Sequence, residues 1–352
     1  MPIPPLYGHE GTRNRLVGAI ASGRLPQALL FEGPRGVGKQ RLALWLAQAL
    51  VCQGGEAHPG QGDGCGTCQQ CKLVLTLSHP DVHWFVPLEP AKRSADPDKQ
   101  LELVAEALGE EMAARRAEPH YGPPSGLASH GIAAVRLLLR RLVLKPVLGR
   151  RKVFLIGDAE RLVAQAGAEA AANALLKALE EPPADTVFVL TAAAPEALLP
   201  TVLSRVVRVR VARLADSIVS AFVQRELGLT DQREVAQWVA LADGCIGRVL
   251  ADGERGAGAA AAAERFLAAV AGGPVSRYAF ALAQPPFQAR GGFTELLDGL
   301  LERLRDQTRS GGDVGKLVPA IAQVLDARGL AQGNVNPQLA AAALAGDLAE
   351  PA

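Results

Sequence analysis

A short apolar strand that runs into a glycine loop and out into a helix constrains this chain more than any other feature. The strand is Ala28-Leu29-Leu30-Phe31-Glu32 and the loop is Gly33 to Gln40, reading Gly-Pro-Arg-Gly-Val-Gly-Lys-Gln. The helix is Lys39 to Val51, with Leu42, Leu46 and Leu50 on one stripe. This order is the context of the phosphate cradle G-x-x-x-x-G-K-[ST]. There the loop amides and the lysine hold phosphates, and the last hydroxyl holds Mg²⁺. Gly33, Gly38 and Lys39 fit the pattern, Gly36 lies inside it, and Gln40 replaces the hydroxyl. Two outcomes stay open: passive binding of ATP or ADP by the cradle, or no nucleotide at all.

A competent site also needs an apolar strand ending in Asp, which holds the metal and helps orient water. The candidate is Val153-Phe154-Leu155-Ile156, followed by Gly157-Asp158-Ala159-Glu160. Gly157 occupies the expected Asp position, so Asp158 can serve only if the strand runs one residue longer. Both metal contacts, at Gln40 and Gly157, are compromised, which points away from hydrolysis.

Further strands are expected over Asp81–Val86, Val187–Leu190 and Val206–Val211, with helical stretches between most of them. A parallel α/β sheet follows. Beyond Ala212 the strand signals stop. Leu214–Leu227 and Thr230–Leu241 read as helices, Gly253–Gly258 as a linker, and the alanine-rich remainder as helical, interrupted at Gly272-Gly273-Pro274 and Gly291-Gly292. Three domains are expected: an α/β domain over 1–211, a small helical domain over 212–255 and a C-terminal helical domain over 256–352. Residues 88–130 form a polar insertion with one charged helix, Lys99–Ala117, and a Pro/Gly loop at Gly122–Gly126. The insertion has no function that the sequence yields.

Cys52, Cys65, Cys68 and Cys71 are spaced C-x12-C-x2-C-x2-C, and glycines 54, 55, 60, 62, 64 and 66 fill the connection. Four thiolates at this spacing suit a closed, structural Zn²⁺ site. The competing reading is a set of buried or redox-active thiols. Cys245 reads as a small core residue. No apolar run is long enough to span a membrane. Met1-Pro2-Ile3-Pro4-Pro5 lacks the pattern of a signal peptide, so a cytoplasmic location is the expectation. The net charge is +1, so any attraction to nucleic acid has to come from local patches. Arg136, Arg140, Arg141 and Lys145 lie near one side of a helix expected over Ile132–Leu144. This is either a face toward DNA phosphates or a solvated helix face.

Asn173-Ala174-Leu175-Leu176-Lys177-Ala178-Leu179-Glu180-Glu181-Pro182-Pro183 resembles a signature of bacterial clamp-loader subunits, members of the AAA+ ATPase superfamily. Three further features match in order. They are the four-cysteine module, Ser78-His79-Pro80-Asp81 before the second strand, and Leu203-Ser204-Arg205-Val206, with Val206 in place of Cys. Asn334-Val335-Asn336-Pro337-Gln338-Leu339 more weakly resembles part of the family's collar domain, and residues 212–255 its lid. In this family the gamma/tau subunits are ATP-hydrolysing motors, and delta-prime has a degraded nucleotide site; Gln40 and Gly157 are similar to the latter. The resemblance implies that Arg205 acts in trans, as an arginine finger on the ATP of an adjacent motor subunit. The alternative for Arg205 is an ordinary surface ion pair.

The implied setting is a hetero-oligomer with gamma/tau-type motors and a delta subunit, acting on the sliding clamp and primer-template DNA within the DNA polymerase III holoenzyme. Two other readings remain: an active motor subunit, and a zinc-bearing DNA-binding protein on an inactive ATPase scaffold. Arg248 falls one position late for the family's lid arginine and takes no sensing role. Thr191-Ala192-Ala193-Ala194 lacks most of the polar residues expected of a motor there.

Overall fold

The computed structural model describes residues 3–54, 64–89, 94–120, 122, 128–163, 169–251, 255–285, 292–309, 311–331 and 335–349. Five strands form one parallel sheet: β1 (Ala28–Glu32), β2 (Val82–Phe85), β3 (Lys152–Ile156), β4 (Thr186–Ala192) and β5 (Val207–Arg210). Their spatial order is β2-β3-β4-β1-β5. Every residue of β3 and β4 is buried, as expected of parallel strands covered by helices on both faces. Phe154 stacks between Phe85 and Phe188, with ring centroids 6.4 and 5.4 Å away.

The register brings three strand ends together: Glu32 pairs with Ala192, and Ile156 with Leu190. The turns after β1, β3 and β4 therefore open side by side at the carboxyl edge. In open α/β sheets this is where ligands bind.

All five expected strands are present, with ends shifted by one or two residues. β2 begins only at Val82 because Asp81 is used otherwise. Its buried carboxylate accepts backbone N–H bonds from Val147, Leu148 and Gly149 at 2.6, 2.8 and 2.7 Å. Lys152 extends β3 backward by one residue. Its ammonium is buried and donates to the carbonyls of Leu142, at 2.6 Å, and Leu144. That caps the helix before it.

The helices of this region, in chain order, are α1 (Glu10–Ala21), α2 (Lys39–Val51), α3 (Gln69–Leu75), α4 (Pro97–Ala117), α5 (Ile132–Leu142), α6 (Ala170–Glu180) and α7 (Pro200–Leu203). The insertion helix starts two residues before the expected Lys99. Asp96 caps it through the amides of Asp98 and Lys99, and Pro97 occupies its first turn. Of the expected Pro/Gly loop, residues 123–126 lie outside the described residues. α5 stops at Leu142 rather than Leu144, which places Lys145 beyond the helix.

Three helices carry a core of their own: α8 (Asp216–Glu226), α9 (Gln232–Ala242) and α10 (Ile246–Ala251). Its buried residues include Val219, Phe222, Val223 and Val235. These helices belong to one compact unit with the sheet, covering residues 1–123 and 128–250. A second unit takes in residues 251–352, and its regular elements among the described residues are all helices: α11 (Arg255–Ala271), α12 (Pro274–Leu282), α13 (Thr294–Arg309), α14 (Val314–Ala331) and α15 (Pro337–Asp347). Phe266, Leu297, Leu300, Val324 and Ala341 lie at its centre. The linker expected at Gly253–Gly258 is corrected in part. Arg255 to Gly258 are helical, the first turn of α11, because the alanine run behind them propagates the helix. Gly253 and Gly291 lie outside the described residues, as does Asn334.

Candidate nucleotide site and metal centre

The glycine loop sits where the sheet geometry places it, between β1 and α2. Its carbonyls are taken up within the chain. Lys39 is 6% exposed, and its ammonium donates to the carbonyls of Gly33 and Pro34, each at 2.8 Å. Burial lowers the Lys39 pKa, while Asp158 and Glu160 nearby act to raise it. The His9 ring lies 2.9 Å from the carbonyl of Val37. The Gly247 amide, on α10, donates to the carbonyl of Gly36 at 2.8 Å. Both glycines are required at that contact. Gly36 has φ +79°, and a Cβ on Gly247 would meet the Gly36 Cα at 2.5 Å. Two small cavities of about 40 and 50 Å³ are lined by residues such as Leu44, Val74 and Trp84, and neither includes a loop residue.

The metal ligands expected of this motif are absent, and the residues present do not fit a divalent cation. β3 ends at Ile156, so Asp158 does not gain the extra strand residue it would need. Asp158 adopts φ +48° and its Oδ2 accepts from Gln40 Nε2 at 3.0 Å. A Cβ at Gly157 would meet three atoms of the Gln40 amide at 3.0–3.2 Å. Gln40 thus fills the space that an acidic side chain at 157 would enter. Its Oε1 accepts from Arg115 Nη1 at 3.3 Å. A guanidinium therefore lies beside the position a metal would take.

Three residues around this point carried no signal in the sequence reading. Arg115 belongs to the insertion. His130 is buried, and its Nε2 lies 2.7 Å from the Gly157 carbonyl. A carbonyl can only accept, so Nε2 carries the proton. Burial pulls the His130 pKa down to about 4, which keeps the ring neutral. Glu160 accepts the Ala193 amide at 3.0 Å through Oε1. Burial, then the nearby Asp158, raises its pKa.

The four cysteines converge. Their sulfurs all lie within 4.8 Å of one another, with Cys52–Cys68 and Cys65–Cys71 at 4.0 and 3.9 Å. Backbone amides of Gly54 and Cys65 point at the Cys52 sulfur, that of Cys68 at Cys65, and that of Cys71 at Cys68, at 3.3–3.4 Å. Such bonds favour thiolates. The hydrogen bond from Thr67, followed by backbone amides, lowers the Cys65 pKa to about 5, whereas burial raises that of Cys71. The group fits a tetrahedral metal such as zinc. It sits at the far end of α2 from Gln40, about 20 Å away at 1.5 Å per residue. Of the intervening glycines, 55, 60 and 62 lie outside the described residues.

Arg205 follows α7 directly. Its Nη1 donates to the Thr201 carbonyl at 2.9 Å, and its Nη2 pairs with Glu180 at 3.3 Å. The fold thereby joins two of the motifs that carried the resemblance, one containing Glu180 and the other Arg205. Arg248 is engaged by Asp243 at 3.1 Å, and the same carboxylate meets Arg213. The basic face of α5 is smaller than the sequence suggested. Arg140 pairs with Asp98 at 3.1 Å, and Arg141 is half-buried with its guanidinium 5.8 Å from the Phe85 ring. Arg136 and Lys145 remain as exposed cations.

The family model described as DNA polymerase III, delta subunit, matches residues 8–215. The chain belongs to this family. It is 33% identical over 190 residues to the DNA polymerase III subunit delta' of Bacillus subtilis, and 32% identical over 191 residues to that of Escherichia coli. Each match covers 54% of the chain, and 43% and 44% of those relatives. A DNA polymerase III subunit gamma/tau of Mycobacterium tuberculosis is 35% identical over 203 residues, 57% of the chain and 27% of the relative. The chain thus matches less than half the length of these curated relatives. The resemblance to clamp-loader subunits of the delta-prime kind, read from four motifs, is borne out.

Proposed function

We propose that this chain is a non-hydrolysing stator of the replicative clamp loader, an AAA+ protein that completes its neighbour's ATPase site. One observation carries the reading. The Gln40 amide fills the space facing Gly157 and is bonded to Asp158, so neither metal ligand of a motor subunit has a counterpart here. That favours the delta-prime role over the gamma/tau role, although relatives of both names match the chain in sequence. In this reading α8–α10 are the lid, the helical unit from 251 onward is the collar, and the four cysteines hold one structural Zn²⁺. The partners are gamma/tau-type motors and a delta subunit, with the sliding clamp and primed DNA as the substrates of the assembly.

Arg205 is the candidate trans-acting group. The Glu180 partner is largely exposed, so their bond is worth at most about 1 kcal/mol. A nucleotide phosphate from a neighbouring subunit would outcompete it, because guanidinium–phosphate pairing is bidentate and charge-assisted. In a reconstituted loader, Arg205→Ala should lower DNA-stimulated ATPase by about 10³-fold at the site it completes. An unchanged rate would remove the finger assignment.

A further inference from the structure

Among its described residues the insertion contributes no strand, and its sequence is polar. Yet Arg115, near the end of α4, is 4% exposed. A buried guanidinium is costly unless its donors are matched. Here Nε donates to Glu111 Oε1 at 2.8 Å, and the guanidinium carbon lies 4.5 Å from the centre of the Trp84 ring. Nη1 reaches Gln40. The Gln40 amide has one orientation that satisfies both of its ends, carbonyl toward Arg115 and NH₂ toward Asp158. The result is a continuous line, Glu111–Arg115–Gln40–Asp158, with charges alternating around a neutral bridge. It crosses the point where a hydroxyl at 40 and a carboxylate at 157 would have shared a divalent ion.

We propose that Arg115 is the resident cation of this site: the inserted helix supplies a permanent positive charge where the motif otherwise uses a metal. This gives the insertion a role. The loop is held in shape by an intrachain guanidinium, and its conformation does not respond to Mg²⁺. The inference stands on this geometry alone and holds whichever subunit role the chain plays.

Amide hydrogen exchange on the full-length protein tests it, read over residues 33–42 and 157–160. Millimolar MgCl₂ should leave exchange there unchanged in the wild type; slowing by Mg²⁺ would overturn the proposal. Arg115→Met, which keeps the volume and removes the charge, should speed those amides by about tenfold. Gln40→Ala should do the same. The double variant should show little beyond the larger single effect, because the two residues act through one contact. Effects that multiply, or an Arg115→Met protein with wild-type protection, would refute the assignment. Arg115→Lys keeps the charge and should recover part of the protection; exchange as fast as in Arg115→Met would rule out a role for charge. The MgCl₂ comparison needs no variant, so it decides even if a substitution prevents folding.

Discussion

Gln40, Gly157 and Asp158 act as a set. The amide of one fills the space left by the missing side chain of the second and is held by the carboxylate of the third. His130 fixes the same turn from behind by donating to the Gly157 carbonyl. Its pKa makes this a pH-sensitive support. The unfolded ring takes a proton near 6.5, the folded one only near about 4. The contribution is therefore complete above pH 6.5 and is lost as pH falls toward 4. His83 shifts the same way, mainly through burial and then the nearby Arg141. Denaturation of His130→Gln across pH 5–6 should show a slope shallower than wild type by about one proton, or about 1.4 kcal/mol per pH unit. An unchanged slope would mean that His130 already titrates in the folded chain.

The defect at Gln40 and Gly157 was legible in the sequence because phosphate and metal chemistry demand given residue types at fixed spacings. Arg115 was not, because it lies 75 residues from its acceptor and only the packing of α4 brings them together.

The expected elements were mostly right because their apolar periods and caps are local, while their ends were decided by contacts distant in sequence. Asp81 illustrates this. Read in sequence, Ser78-His79-Pro80-Asp81 was only one of the motifs carrying the family resemblance; folded, the Asp81 carboxylate anchors the segment after α5. Burial pushes the Asp81 pKa up, but the three amides, from Val147, Gly149 and Leu148, outweigh that and hold it below the usual range. The stabilisation is thus present above ordinary carboxylate pH and is lost as pH falls through the lowered value. Asp81→Ala should cost about 2 kcal/mol in denaturant unfolding, since it removes a charged acceptor shared by three part-buried amides. A cost below about 1 kcal/mol would show that water replaces the carboxylate.

The cysteine module is a second case at this scale. Its spacing announced a metal, and the convergence of four sulfurs agrees. Protein purified without chelator should carry one zinc. Its removal, or Cys71→Ser, should loosen α3 and the end of α2, lowering the melting temperature. Metal-free protein with unchanged melting would contradict a structural ion.

At the level of the whole molecule, a parallel sheet sets its loops at one carboxyl edge, and this chain has closed that edge from within. The Gly247 amide on α10 touches the loop, Lys39 is turned onto loop carbonyls, and Asp243 engages Arg248. Tyr7 donates to Glu226 on α8 at 2.5 Å, and both Tyr7 and His120 pack edge-on against Phe222. The N-terminal segment and the insertion therefore both hold α8. The ties of Gly247, Tyr7 and His120 were not legible in the sequence, since each joins residues of unremarkable type across long separations. Together they tie the glycine loop, the N-terminal segment and the insertion to α8 and α10. No helix among the described residues is long and apolar enough to cross a membrane.

The central claim is that this chain does not turn over ATP itself. The most direct measurement is Mg²⁺-dependent ATP hydrolysis by the isolated protein, with Lys39→Ala alongside. The account predicts turnover at background for both proteins. Wild-type turnover that the lysine substitution abolishes would contradict it and make this chain a motor.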